Sequence, residues 1–256
     1  MDAYGKFAEI YDSLMEDVPY QDIADVIDQE LQSHQVDNKI ILDMACGTGT
    51  LTAILKQKGY DMIGTDLSPE MLHVAQEKCP DTLFLLQSME ELELYGTVGC
   101  ICCCLDSINY LTEDGALDHV FHLCNNYLEP NGLLIFDINS EYKFQNILAD
   151  NIYTFENEKV YYTWENYYMD DEKLCDFYLT FFVREGELYS RFDETHTERC
   201  YSKQEITDAL EKNGFAVKNI YDGFTQKPAH DESERLFFVC ENVDSIQLKY
   251  STEESK

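Results

Sequence analysis

The stretch IILDMACGTGTLTAIL, residues 40–55, decides the fold. An apolar run ends in Asp43, the chain turns through Gly47 and Gly49, and apolar residues then return at helical spacing. That order predicts a buried strand, a tight glycine loop and a helix. Three kinds of ligand compete for such a loop. A phosphate loop of the GxxxxGK[ST] type is excluded, because no lysine follows. A dinucleotide loop of the GxGxxG type meets Thr52 where its third glycine belongs. The carboxylate discriminates further. A pyrophosphate held by backbone amides and a helix N-terminus would be repelled by Asp43. A cationic amino-acid group would be attracted, and Gly47 and Gly49 would let it approach the backbone.

Upstream, residues 4–16 predict a short helix. A second helix follows Pro19, with Ile23, Val26, Ile27 and Leu31 on one buried face. Downstream, YDMIGTDL (60–67), TLFLLQ (82–87), VGCICCCL (98–105) and GLLIFDIN (132–139) predict strands, with helices at 50–59, after the Ser68 cap and Pro69, and over about 113–127. Strands alternating with helices imply an α/β, Rossmann-like sheet, mostly parallel and covered on both faces. Asp66 ends the second strand, 19 residues after Gly47, where an acid accepts ribose hydroxyls. A ligand with a ribose, a positive amino-acid arm and no pyrophosphate fits S-adenosylmethionine. Whether Asp43 would meet its ammonium directly, or through backbone and water, stays open.

After about residue 140 the pattern changes. The segment 141–200 is dense in Tyr, Phe and Thr and predicts an antiparallel β insertion, with turns at MDDEK (169–173) and REGE (184–187). KQEITDALEKNG (203–214) returns to helix, and FAVKNIYDG and ERLFFVCEN close the sheet, the last strand antiparallel. The expected organisation is a cofactor-binding domain formed by 1–140 and 201–242, a substrate or lid insertion at 141–200, and a polar tail at 243–256.

Composition bounds the partners. The 256 residues include 18 basic and 50 acidic side chains, a formal charge of −32. Such a surface repels polyanions, so nucleic acid and anionic membranes are poor partners. The N-terminus lacks a basic start and an apolar core segment, no stretch has the length of a membrane span, and a cytoplasmic location is expected. Ten cysteines sit in apolar patterns and are expected reduced and buried. Cys100 and Cys103 form a CxxC, but alternation sends neighbouring strand residues to opposite faces and no second pair follows, so no metal site is expected.

LDMACGTGTLT (42–52) followed by IGTDLSPEML (63–72) resembles the cofactor motifs of the class I S-adenosylmethionine-dependent methyltransferases. FAEIYDSLMEDVPYQDI (7–23) is similar to the N-terminus of an uncharacterised bacterial branch that carries FAxxYDxLMxDVPY. The resemblance implies cofactor contacts from Ala45, Cys46, Gly47 and Gly49, and from Leu67 and Met71 flanking the adenine. It implies that Tyr11 and Tyr20 fold over the methionine end and that Leu105 and Asp106 lie beside the sulfonium. QSMEEL (87–92) stands where the family often has an Asp-Met pair reaching the adenine amino group. Here Ser88 precedes Met89, so Ser88 or a backbone group would have to replace that bond.

No dedicated general base stands out. Asp106 and His196 are weak candidates, and for His196 an exposed strand position is the commoner reading. An amine acceptor, or one acidic by itself, is slightly favoured. The expected activity is methyl transfer to a small molecule by a monomer or homodimer. The alternatives are a methyltransferase acting on RNA or protein and a regulator that binds the cofactor without catalysis.

Overall fold

The computed structural model describes residues 3–243, and two sheets organise them. The expected tail lies outside these residues except for Val243. The first sheet is built from an alternating run: α1 (Ala3–Leu14), α2 (Tyr20–Ser33), β1 (Ile40–Met44), α3 (Thr50–Gln57), β2 (Asp61–Asp66), α4 (Pro69–Lys78), β3 (Leu83–Leu86), β4 (Val98–Cys103), α5 (Ala116–Tyr127) and β5 (Leu128–Asn139). The second comprises β6 (Ile152–Glu156), β7 (Val160–Met169), β8 (Leu174–Glu185) and β9 (Leu188–Arg199). The chain then returns to the first through α6 (Lys203–Lys212), β10 (Phe215–Asp222) and β11 (Arg235–Asn242).

The large sheet has seven strands in the order β10-β11-β5-β4-β1-β2-β3. β1 to β5 pair in parallel, and β11 runs antiparallel to both β5 and β10. The chain moves outward from β1 to β3 and then crosses to β4 on the other side of β1. Ligands of open α/β sheets bind at such a reversal, outside the carboxyl ends of the strands. Asp43, Asp66 and Cys103 therefore end their strands along one edge.

Alternation along the strands sorts the core. Ile41, Cys100 and Cys102 pack with Ile23 and Ile27 of α2 and Leu55 of α3, whereas Leu42, Ile101 and Cys103 pack with Phe121 of α5 and Leu210 of α6. Cys102 and Cys103 thus lie on opposite faces, and all ten cysteines are free thiols. Each fully buried Ile or Leu contributes roughly 1.5–3 kcal/mol. Local signals set the helix ends: Ser68 accepts from the Met71 amide, and Ser202 with Glu205 forms a capping box. α5 starts later than expected, because Gly115 at its N-cap is left-handed (φ 85°).

The four-stranded sheet is an antiparallel meander, β6-β7-β8-β9, turning where the sequence places its turns. Before it lies a wide helical turn, Lys143–Leu148, to which periodicity gives no assignment; its buried Phe144 and Leu148 anchor it to the new sheet. One face carries Tyr162, Trp164 and Asn166 of β7, Phe177, Leu179 and Phe181 of β8, and Phe192, Glu194, His196 and Glu198 of β9. That face meets α1, where Ile10 joins Phe181 and Phe192 and the Phe7 ring stands 5.5 Å from Phe181. The end of β9 rests on the turn after β4, where Asn109 Nδ2 donates to the Arg199 carbonyl at 2.8 Å. The second sheet therefore stands over the carboxyl edge of the first.

Candidate functional site

The glycine loop is fixed by two acids. Asp43 is buried at the end of β1, where its Oδ2 accepts the Thr52 hydroxyl of α3 at 2.5 Å and its Oδ1 lies 3.7 Å from the Cys102 thiol. Burial, with some repulsion from Asp66, pushes its carboxyl up to about 6. Asp43 thus braces β1 against α3 beneath the loop. Asp66 accepts the Gly47 amide on Oδ2 at 2.8 Å and the Ser68 amide on Oδ1 at 2.9 Å, which draws the loop onto the end of β2. These backbone bonds leave part of the carboxylate's acceptor capacity for a ligand. Burial raises the Asp66 carboxyl as well.

The two glycines serve different ends. At Gly47 (φ +54°) an added Cβ would meet nothing nearer than Tyr11 Cε1 at 4.0 Å, so its bare face looks into open space. At Gly49 (φ +73°) a Cβ would come within 3.0 Å of Ala75 Cβ and 3.5 Å of Phe84, so this glycine lets α3 start close against α4 and β3. On the side where a Cβ would stand, Gly49, expected to let a ligand approach, admits packed protein.

A small cleft opens above the loop. Of the expected residues, Tyr11, Tyr20, Asp43, Ala45, Cys46, Gly47 and Leu105 line it. Thr48, Leu51, Cys104 and Ser107 also line it and were missed; Thr48 and Leu51 were findable as loop and first-turn neighbours of the glycines. Asp66 sits behind Gly47. Leu67 is 74% exposed beside it, and Met71 is half-buried in the first turn of α4. Ser88 and Met89 stand past β3, and Met89 packs into the core with its sulfur 3.8 Å from the Cys103 thiol. A bare backbone face open at Gly47, beside the Asp66 carboxylate, fits a ribosyl amino acid.

Next to this cavity, β4 ends in two consecutive left-handed residues, Leu105 (φ 63°) and Asp106 (φ 57°). Such backbone is costly for non-glycine residues and persists where surroundings hold it. Here buried Asp137 of β5 accepts both amides, at 2.7 and 3.0 Å. Arg235 of β11 binds Asp137 and also donates to Asp106 at 2.5 Å. Asp106, named above as a weak candidate for a base, is therefore ion-paired. Behind it, Asn139 Nδ2 donates to Glu198 of β9 at 2.9 Å and Lys143 donates to Asn139 Oδ1 at 2.8 Å.

His196 is half-buried, against the exposed position that is commoner for a strand histidine. Its ring lies 5.8 Å from Tyr110 and 6.4 Å from Phe7, and burial pushes its imidazole toward the neutral form. Arg235, Asp137, Asn139, Lys143 and Glu198 were not anticipated. The one signal for Arg235 was a rare cation at the start of a buried strand in a strongly acidic chain. No group of three or more His, Cys, Asp or Glu suited to a metal ion occurs among the described residues.

A methyltransferase domain model, Methyltransf_25, matches residues 41–132, which span β1 to the start of β5. YqeM of Bacillus subtilis, provisionally named a methyltransferase, is 35% identical over 247 residues, covering 95% of this chain and 98% of its own length. The chain belongs to the S-adenosylmethionine-dependent methyltransferases. The crystal structure of an S-adenosylmethionine-dependent methyltransferase from Clostridium acetobutylicum superposes with a TM-score of 0.86 at 35% identity, over 94% of this chain and 99% of that one. The same fold appears at 19% identity and a TM-score of 0.76 in the sugar N-methyltransferase KedS8 from a Streptoalloteichus species, over 90% of this chain and 92% of that one. The methyltransferase's cofactor is S-adenosylmethionine.

Proposed function

We propose that this methyltransferase acts on a small-molecule acceptor, in the cytoplasm. The observation that carries the reading is the cover over the carboxyl edge. α1, the turn at Ser107–Tyr110 and β9 converge beside Leu105, with the His196 ring against both Phe7 and Tyr110. A stacked nucleic-acid base or a folded protein would have to displace this cover, whereas a metabolite is small enough to be enclosed by it. The charge of −32 further disfavours RNA. The sugar N-methyltransferase that shares the fold is consistent with a small acceptor.

In this reading the spare lone pairs of Asp66 take the ribose hydroxyls. The backbone of Ala45, Cys46 and Gly47 lies along the amino-acid arm, and Asp43 holds that backbone in place through Thr52. Tyr11 and Tyr20 cover the methionine end. Leu67 and Met71 flank the adenine, with Ser88 beside it and Met89 as its support in the core. Bound S-adenosylmethionine supplies an electrophilic methyl group on a sulfonium. The protein's task is then alignment, which is worth many powers of ten for a displacement between two bound groups. The paired left-handed residues Leu105 and Asp106 shape the wall along which the acceptor is aligned.

The test incubates the purified protein with methyl-labelled S-adenosylmethionine and three fractions of a cell lysate: small molecules, RNA and protein. Label is expected in the small-molecule fraction. Label confined to RNA or protein overturns the reading.

A further inference from the structure

Along β9 the side chains at 192, 194, 196 and 198 share the face turned toward the cofactor edge. Phe192 is apolar packing, but the next three are Glu194, His196 and Glu198. Glu194 is 7% exposed and Glu198 4%. Neither has a cation within ion-pairing distance among the described residues. Glu198 receives one hydrogen bond, from Asn139. Glu194 Oε1 receives none, and on the same face Trp164 Nε1 and Asn166 Oδ1 also lack partners. Trp164 and Glu194 lie in one cross-strand row through Leu179, and Asn166 and His196 in the next through Phe177. Buried polar atoms are nearly always paired, and a buried unpaired carboxylate is among the costliest arrangements in a folded chain. Three such atoms on one face mark a surface that a ligand completes.

The surrounding charge says what kind of ligand. Glu198 faces Asp106, and burial together with that charge pushes its carboxyl up to about 8; of the cations near it, Arg235 is taken by Asp106 and Asp137, and Lys143 donates to Asn139. Around Glu194, the neighbouring inward side chains of β9 are Phe192 and His196, and His196 is held toward neutrality by burial. Arg235 is thus spent on Asp106 and Asp137, and Glu194 and Glu198 are left without an ionic partner, so a cation arriving here would meet carboxyl groups ready to ionise against it. Tyr110 and Phe7 add aromatic walls, which also favour cations. A phosphate or pyrophosphate would meet repulsion throughout. We propose that Glu194 and Glu198 of β9 form the acceptor-recognition surface for a small, unphosphorylated, cationic amine, which would donate to both carboxylates with one edge reaching the unpaired Asn166 oxygen. The inference rests on the small-molecule reading above and narrows it to one acceptor class.

The experiment takes the labelled product from the small-molecule fraction and separates it by ion exchange at neutral pH. The Glu194→Gln and Glu198→Gln variants are then assayed on that same fraction, with S-adenosylmethionine affinity measured by calorimetry. The label is expected in the cationic pool. Each variant is expected to raise the apparent KM for acceptor at least tenfold, on the scale of one lost charge-assisted hydrogen bond, while cofactor affinity stays native. Label in the anionic or neutral pool overturns this inference and leaves the small-molecule reading standing, as does native acceptor KM in both variants. Absence of any labelled small molecule overturns the reading on which it rests. Native cofactor affinity in the variants certifies that they are folded, and the two sites, on a buried strand, are tested separately so that loss of one still leaves the other informative.

Discussion

The two halves of the site treat their carboxylates in opposite ways. At the cofactor half, Asp43 and Asp66 are both hydrogen-bonded by the protein, one to the Thr52 hydroxyl and the other to two backbone amides. At the β9 half, Glu198 has one neutral partner and Glu194 Oε1 has none. A binding site for a fixed ligand can be finished in advance, with acids spent on shaping backbone. A surface for a variable ligand keeps its polar atoms in reserve.

Four experiments bear on this contrast. The largest effect is expected from Arg235→Met, because Arg235 neutralises Asp106 and buried Asp137, which in turn hold the left-handed pair. Breaking such a pair from one side costs several kcal/mol, and about 3 kcal/mol of unfolding stability is expected in denaturant titrations. A native midpoint would mean that the acids behind the mouth are already balanced without it. Next, Gly47→Val places a branched side chain at φ +54° and in the open face of the loop. Cofactor affinity should fall roughly 100-fold or more by calorimetry, with the circular dichroism spectrum retained. Binding at native strength would show that the space above Gly47 is not the cofactor's.

Third, Asp43→Asn sharpens the claim that this acid braces rather than attracts. Its proton is held more tightly in the folded state, near 6, than in the unfolded chain, at 3.8. Below about 4 both states are protonated and the group is neutral to stability. As pH rises toward 6 the unfolded state ionises first, so the wild-type protein loses stability through that window and holds the loss above it. The Asn variant lacks this slope. It should gain on the wild type by up to about 3 kcal/mol between pH 4 and pH 7, before any loss of the Thr52 bond. A difference that does not change with pH refutes the assignment. The smallest effect is expected from Asp12→Ala. Asp12, itself exposed, accepts the hydroxyl of buried Thr48 at 2.6 Å and Lys78 at 2.8 Å. Stability should change by less than about 1 kcal/mol, while the cofactor off-rate in stopped flow should rise because α1 loses its tie to the loop.

What was legible in the sequence follows the range of each interaction. The glycine loop, Asp43, Asp66 and the Ser68 cap depend on neighbours within one strand–loop–helix unit, so spacing alone exposes them. The parallel sheet, the antiparallel last strand and the meander were legible for the same reason. The mouth was not. Arg235 meets partners 129 and 98 residues away, and Asn139 and Glu198 are 59 apart. Nothing local in DETHTE distinguishes an inward 194-196-198 row from an inward 193-195-197 row, since a one-residue change of register exchanges the faces. Gly49 shows a limit of a different kind: the residue was singled out correctly as special, but only the positions of Ala75 and Phe84 reveal whether ligand or protein occupies the room it leaves.

α1 touches both halves at once. Tyr11 walls the cofactor cavity, while Phe7 and Ile10 pack on the second sheet and Asp12 fastens the helix to Thr48 and Lys78. A helix shared in this way cannot swing aside for one guest without uncovering the other. Loosening this one helix would therefore open the cofactor cleft and the space beneath the second sheet together.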